Sequence, residues 1–105
     1  MRHPRLDVVG EAADGQTGLD QIERLEPDVV LLDVRMPGID GFAVARLLKS
    51  RGGPPVILIS AFQSPRYREA AEAAGAAGLL AKSDSEDCLA AAVLAAAGQA
   101  MEVDS

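Results

Sequence analysis

The sequence predicts an α/β protein built on a parallel sheet. Three short apolar runs, Val29 to Leu32, Val56 to Ile59 and Gly78 to Ala81, are continuous rather than alternating, as strands buried on both faces require. Helix-period segments separate them and lead straight from one run to the next. Strands alternating with helices of this length imply right-handed crossovers within one sheet.

Taken in order, a first strand is predicted at Asp7 to Ala12, followed by a helix whose stripe is Leu19, Ile22 and Leu25 and whose stop is Pro27. The strand at Val29 to Leu32 comes next. Phe42, Ala45 and Leu48 form the stripe of a second helix that stops at Gly52-Gly53-Pro54-Pro55, immediately before the strand at Val56. An Ala- and Glu-rich helix runs from about Pro65 to Ala74 and ends at Gly75, ahead of the strand at Gly78. The last helix, Ser85 to Ala97, has Ser83 and Glu86 spaced as a capping box and Gly98 as its stop. Residues 1–100 form one domain in this reading, and Met101 to Ser105 is expected to be a frayed tail or the start of a linker.

Composition narrows the function classes. A chain of 105 residues holds one domain, and 49 % hydrophobic with 25 % charged residues is the balance of an ordinary globular protein. A net charge of -6 without any basic stretch argues against direct binding to nucleic-acid backbones, so DNA contact would need a separate effector domain. The single Cys88 excludes an internal disulfide, and neither a signal peptide nor a membrane span is evident, which makes a cytoplasmic location the expectation.

Ligands of open parallel sheets bind beyond the carboxyl ends of the strands. The residues ending the three apolar runs there are Asp33, Ser60 and Lys82, each one helix plus one strand from the next, so an acid, a hydroxyl and an ammonium should converge on one rim. Singly, each has a plain structural reading: Asp33 in a turn, Ser60 as the cap of the next helix, Lys82 as a solvated charge. Asp40 is assigned to capping the helix that follows it, and His3 and Cys88 have no metal-ligand or catalytic company.

The segment Leu31-Leu32-Asp33-Val34-Arg35-Met36-Pro37-Gly38-Ile39-Asp40-Gly41 resembles the phosphoacceptor segment of the receiver domains of two-component response regulators. Val56 to Ala61 and Gly75 to Lys82 are similar to that family's fourth and fifth strands, with their switch hydroxyl and lysine, and Lys82-Ser83 after the Gly-Ala-Ala-Gly lead-in looks like the NarL/FixJ type. The resemblance implies a flavodoxin-like (CheY-like) doubly wound sheet of order 2-1-3-4-5. It implies that a sensor histidine kinase phosphorylates Asp33, that Ser60 and Lys82 bind the phosphoryl group, and that Mg²⁺ lies against Asp33 and the backbone carbonyl of Arg35. The output would be altered protein contacts rather than catalytic turnover, regulating transcription through a helix-turn-helix domain in a full-length protein.

One departure from the family pattern bears on activity. Receivers open with a strand ending in an acidic pair, followed by a first helix, whereas Met1 to Leu6 is similar to the end of that helix, so the expected fold lacks its first strand and first helix. With the pair absent, weak Mg²⁺ binding and slow phosphorylation are expected. Losing about five buried strand residues at ~1.5 to 3 kcal/mol each removes on the order of 10 kcal/mol, comparable with the stability of a whole domain. Compensation could come from the strand at Val8 pairing directly with Val29 to Leu32, with Asp14 approaching Asp33 as a substitute carboxylate, or from a homodimer or complementing segment covering an apolar patch.

Two other functions compete. A phosphorylation-independent pseudo-receiver would serve as a protein interaction module, a reading helped by Leu79 where the family often has an aromatic residue. A haloacid-dehalogenase-like phosphatase also uses an Asp after its first strand, but Arg35 stands where its second Asp should be, leaving no general acid.

Overall fold

A computed structural model of the chain describes residues 7–12, 15–35, 40–61, 64–84, 86–96 and 99–103. The elements run β1 (Asp7–Ala12), α1 (Gly15–Leu25), β2 (Val29–Asp33), α2 (Gly41–Ser50), β3 (Val56–Ser60), α3 (Pro65–Ala73), β4 (Gly78–Ala81), α4 (Glu86–Ala96) and β5 (Gln99–Val103). The five strands form one sheet of order β1-β5-β2-β3-β4, with every pair parallel. The α/β doubly wound class follows from the sequence pattern as expected.

The apolar runs become the sheet because nothing else can hide them on both sides. Val29, Val30, Leu31 and Leu32 are all fully buried, and alternate residues feed two cores. Val30 and Leu32 pack with Leu58, with Ile22 of α1, with Val44, Ala45 and Leu48 of α2, and with Ala71 of α3. Val29 and Leu31 pack with Ile57 and with Val93 of α4 on the opposite face. The side chains buried on α3 and α4 include the small residues Ala71 and Ala90.

Three expectations change. The segment expected to be a tail from residue 101 is sheet: β5 pairs with β1 from Gln99 to Val103 and with β2 from Ala100 to Val103. It occupies the interior place that the 2-1-3-4-5 order gives to the strand expected to be missing, so β1 does not pair directly with β2. Among the described residues Leu25, expected on the buried stripe of α1, is the one exposed large apolar side chain, at the last position of the helix. Finally, α4 begins at Glu86, which leaves Ser83 ahead of the helix in a turn closed by the Asp84 N–H donating to the Ala81 carbonyl at 3.0 Å.

The start of α2 fixes how close that helix comes to β2. Asp40 is its N-cap and accepts from the Ala43 N–H at 2.8 Å, while the Gly41 N–H donates to the Val34 carbonyl at 2.8 Å. A Cβ at position 41 would lie 2.5 Å from the Asp33 carbonyl oxygen and 2.8 Å from the Val34 Cα, so only glycine fits. The next residue, Phe42, meets Tyr67 of α3 edge to face, with centroids 5.8 Å apart and planes at 81°. Ser64 caps α3 through Tyr67 N–H, and Ser60 is left to the strand end.

Gly41→Ala should therefore destabilise the fold by about 1–3 kcal/mol in urea unfolding, since both obstructing atoms are backbone. Asp40→Ala, which removes only the cap, should cost about 1 kcal/mol in the same measurement.

Candidate functional site

The site forms where β2, β3 and β4 end. Pairing of Asp33 with Ile59 and of Ser60 with Ala81 sets the strand ends level, and two backbone bonds extend the ladder past them, from Val34 N–H to the Ile59 carbonyl and from Lys82 N–H to the Ser60 carbonyl, both 2.9 Å. Asp33, Ser60 and Lys82 are thus carried to one rim by rigid sheet rather than by loops.

Asp33 is only 4 % exposed, an unusual position for a carboxylate. Each of its oxygens has a described partner: Oδ1 accepts from the Arg35 N–H at 2.8 Å, and Oδ2 lies 2.6 Å from the Lys82 ammonium. Oδ2 makes no well-angled hydrogen bond, so the ion pair is what compensates its burial. The Lys82 side chain is 48 % exposed, which leaves the ammonium reachable from solvent while its partner is enclosed. Ser60 is 3 % exposed at the neighbouring strand end.

This arrangement suits attack on phosphorus. A carboxylate is a competent nucleophile, and phosphoryl transfer depends chiefly on positioning and on cations and donors near the equatorial oxygens. Lys82 supplies such a cation, and the Ser60 hydroxyl and the Arg35 N–H are donors carried on the same strand ends or just beyond them.

Metal-binding capacity is limited among the described residues. Nowhere among them do three or more His, Cys, Asp or Glu side chains come together, and Asp33 provides a single carboxylate already engaged by Lys82 and Arg35. These residues do not amount to a Mg²⁺ site, for which one carboxylate is a thin donor set. Asp14, the substitute carboxylate expected from the sequence, lies outside the described residues, as do Met36 to Ile39 of the motif. The residue whose site role the sequence left unassigned is Gly41; its place after the helix cap in the Asp40-Gly41 pair was the available signal.

A groove at the other ends of the strands, between Leu19, Ile22 and Pro27 on one side and Leu48 and Pro54 on the other, includes none of the three rim residues. Among the described residues no helix is long and apolar enough to cross a membrane.

Comparison with known proteins agrees with the geometry. The family model for the response regulator receiver domain matches residues 1–94. The transcriptional regulatory protein NarL of Mycobacterium tuberculosis is 46 % identical over 90 residues, covering 85 % of this chain and 42 % of that protein. A protein-glutamate methylesterase/protein-glutamine glutaminase of Koribacter versatilis is 45 % identical over 69 residues, 66 % of this chain but 19 % of its own length. Among solved structures, the signal receiver domain of the Mycobacterium tuberculosis NarL superposes with a TM-score of 0.73 at 43 % identity, covering 82 % of this chain and 74 % of that one. The chain therefore spans less than half of the two full-length relatives.

Removing one member of the ion pair should be unequal in effect. Lys82→Ala leaves a buried carboxylate uncompensated and should lower stability by about 1–3 kcal/mol, whereas Asp33→Asn removes the charge and should cost less; chemical denaturation of the two variants and of the double variant measures the difference.

Proposed function

Because this chain belongs to the response regulator receiver family, whose function is phosphorylation-dependent signalling, we propose that Asp33 is its phosphoacceptor, with Ser60 and Lys82 as the groups that receive the phosphoryl oxygens. The observation that carries this reading is the 2.6 Å approach of the Lys82 ammonium to a carboxylate that is otherwise enclosed. Before transfer the ammonium is paired with the Asp33 carboxylate; after transfer the same ammonium faces the new phosphoryl oxygens, so the ion pair is exchanged rather than lost. The donor is the phosphohistidine of a sensor histidine kinase in the cytoplasm, and the output is a change of protein contacts, not turnover of a substrate. The identity with NarL over 90 residues favours a transcriptional output exerted through a separate effector domain. Receivers generally bind Mg²⁺, for which the described residues offer the Asp33 carboxylate and the Arg35 carbonyl as donors.

A second reading draws on Leu79 of β4, where the family often has an aromatic residue: a module that binds its partner whether or not Asp33 is modified. Asp33→Asn separates the two, since partner binding that follows the phosphorylation state is lost and constitutive binding is kept.

Incubation with a small acyl phosphate should add one phosphoryl group, seen by intact-mass measurement and mapped to Asp33, with none on the Asp33→Asn variant. Lys82→Ala should slow the labelling by about 100-fold, the usual loss when a preorganised charge-stabilising group is removed. Labelling of the Asp33→Asn chain at an undiminished rate would overturn the assignment.

A further inference from the structure

The groove at the amino-terminal ends of the strands lies between the closing turns of α1 and α2 and has a volume of about 700 Å³. Its base is apolar: Ile22, Pro27 and Leu48 are buried there, and Leu19 and Pro54 stand half-buried on its two walls. Its rim is charged, and unequally so. The α1 wall presents three exposed carboxylates, Glu23, Glu26 and Asp28, against the single cation Arg51 on the α2 wall; Arg24, in the last turn of α1, does not line the groove. Arg51 is the C-cap of α2, where the partial negative charge of the helix end already offsets it, while the end of α1 adds its own partial charge to the three acids. Among the described residues none of these carboxylates is engaged in an ion pair. The walls are also set in advance. The Glu26 N–H donates to the Ile22 carbonyl at 3.0 Å, the Gly53 N–H to the Leu48 carbonyl at 2.8 Å and the Val30 N–H to the Pro55 carbonyl at 3.0 Å, so backbone bonds fix both helix ends and the strand starts between them. A surface formed beforehand loses little freedom on binding. Glu26 itself takes φ 48°, the left-handed region in which glycine ordinarily ends a helix, so the carboxylate is carried there at a conformational cost.

From this combination we infer that the groove is a docking site for a segment of another protein, which seats a leucine-sized apolar side chain between Leu19 and Pro54 and lays Lys or Arg against Glu23, Glu26 and Asp28. Charge complementarity selects this occupant. An acidic rim repels nucleic acid, anionic membrane surfaces and acidic peptides, whereas a basic residue beside an apolar one satisfies both the rim and the base. Exposed residues on both walls leave the groove open to solvent. That shape suits side chains projecting from a chain laid across it better than a small molecule, whose sites enclose most of their ligand. The groove includes none of Asp33, Ser60 and Lys82, so the inference stands apart from the assignment of the phosphoacceptor.

The test uses the full chain and a short fluorescent peptide of alternating leucine and lysine, titrated by anisotropy and located by amide hydrogen exchange. Bound peptide should slow exchange at residues 23–28 and 51–53 and leave residues 33–35 unchanged. Replacing the leucines by alanine, or the lysines by glutamate, should each weaken binding by about tenfold or more. Glu26→Gly is the decisive variant, because glycine suits the backbone there: its thermal midpoint should hold or rise while peptide affinity falls by about three- to tenfold. Asp28→Asn, which keeps the shape of the side chain, should lower affinity in the same direction. Equal affinity for the alanine peptide, unchanged affinity of both the Glu26→Gly and Asp28→Asn chains, or slowed exchange confined to other residues would overturn the inference. So would self-association that protects residues 23–28 and 51–53 without peptide, which would make a second copy the occupant.

Discussion

The structure depends on one strand being enclosed on all sides. β2 is covered by helices on both faces and paired on both edges, and its last residue is the Asp33 carboxylate. Enclosure makes Asp33 rigid, and it also makes the charge costly unless a cation stands beside it. Lys82, delivered by a strand two places away, meets that need from the solvent side. The ion pair is thus a consequence of the sheet's packing before it is a feature of the chemistry.

Much of this is legible in the residues. Runs such as Val29 to Leu32 and Val56 to Ile59 can be hidden only in the interior of a parallel sheet, and the Gly and Pro stops at Pro27, Gly52 and Gly75 mark the helix ends that separate them. Because the three strand ends stand level, the convergence of Asp33, Ser60 and Lys82 follows from strand order alone. Asp40 announces itself as a cap by its place before the apolar stripe of α2.

What stayed hidden has physical reasons. Residues 99–103 carry neither the apolar continuity of a buried strand nor a clean alternation, so local pattern assigns them to a tail; the unfilled edge of β2 decides otherwise, and that is a tertiary demand with no local trace. Leu25 follows the helical period yet is exposed at the last position of α1. The steric need for glycine at position 41 comes from a backbone approach that only the folded chain creates.

That approach has a mechanical side. With hydrogen in place of a side chain at position 41, the first turn of α2 is seated directly on the peptide that carries Asp33, with no compliant methyl or methylene between them. A small shift of that peptide, such as the rebalancing of charge around Asp33 would produce, has nothing soft to dissipate it. It would have to be taken up by the tilt of α2, whose Phe42 meets the ring of Tyr67 on the neighbouring helix. A change at one buried oxygen would then be felt at the contact between two helices rather than in the strand alone.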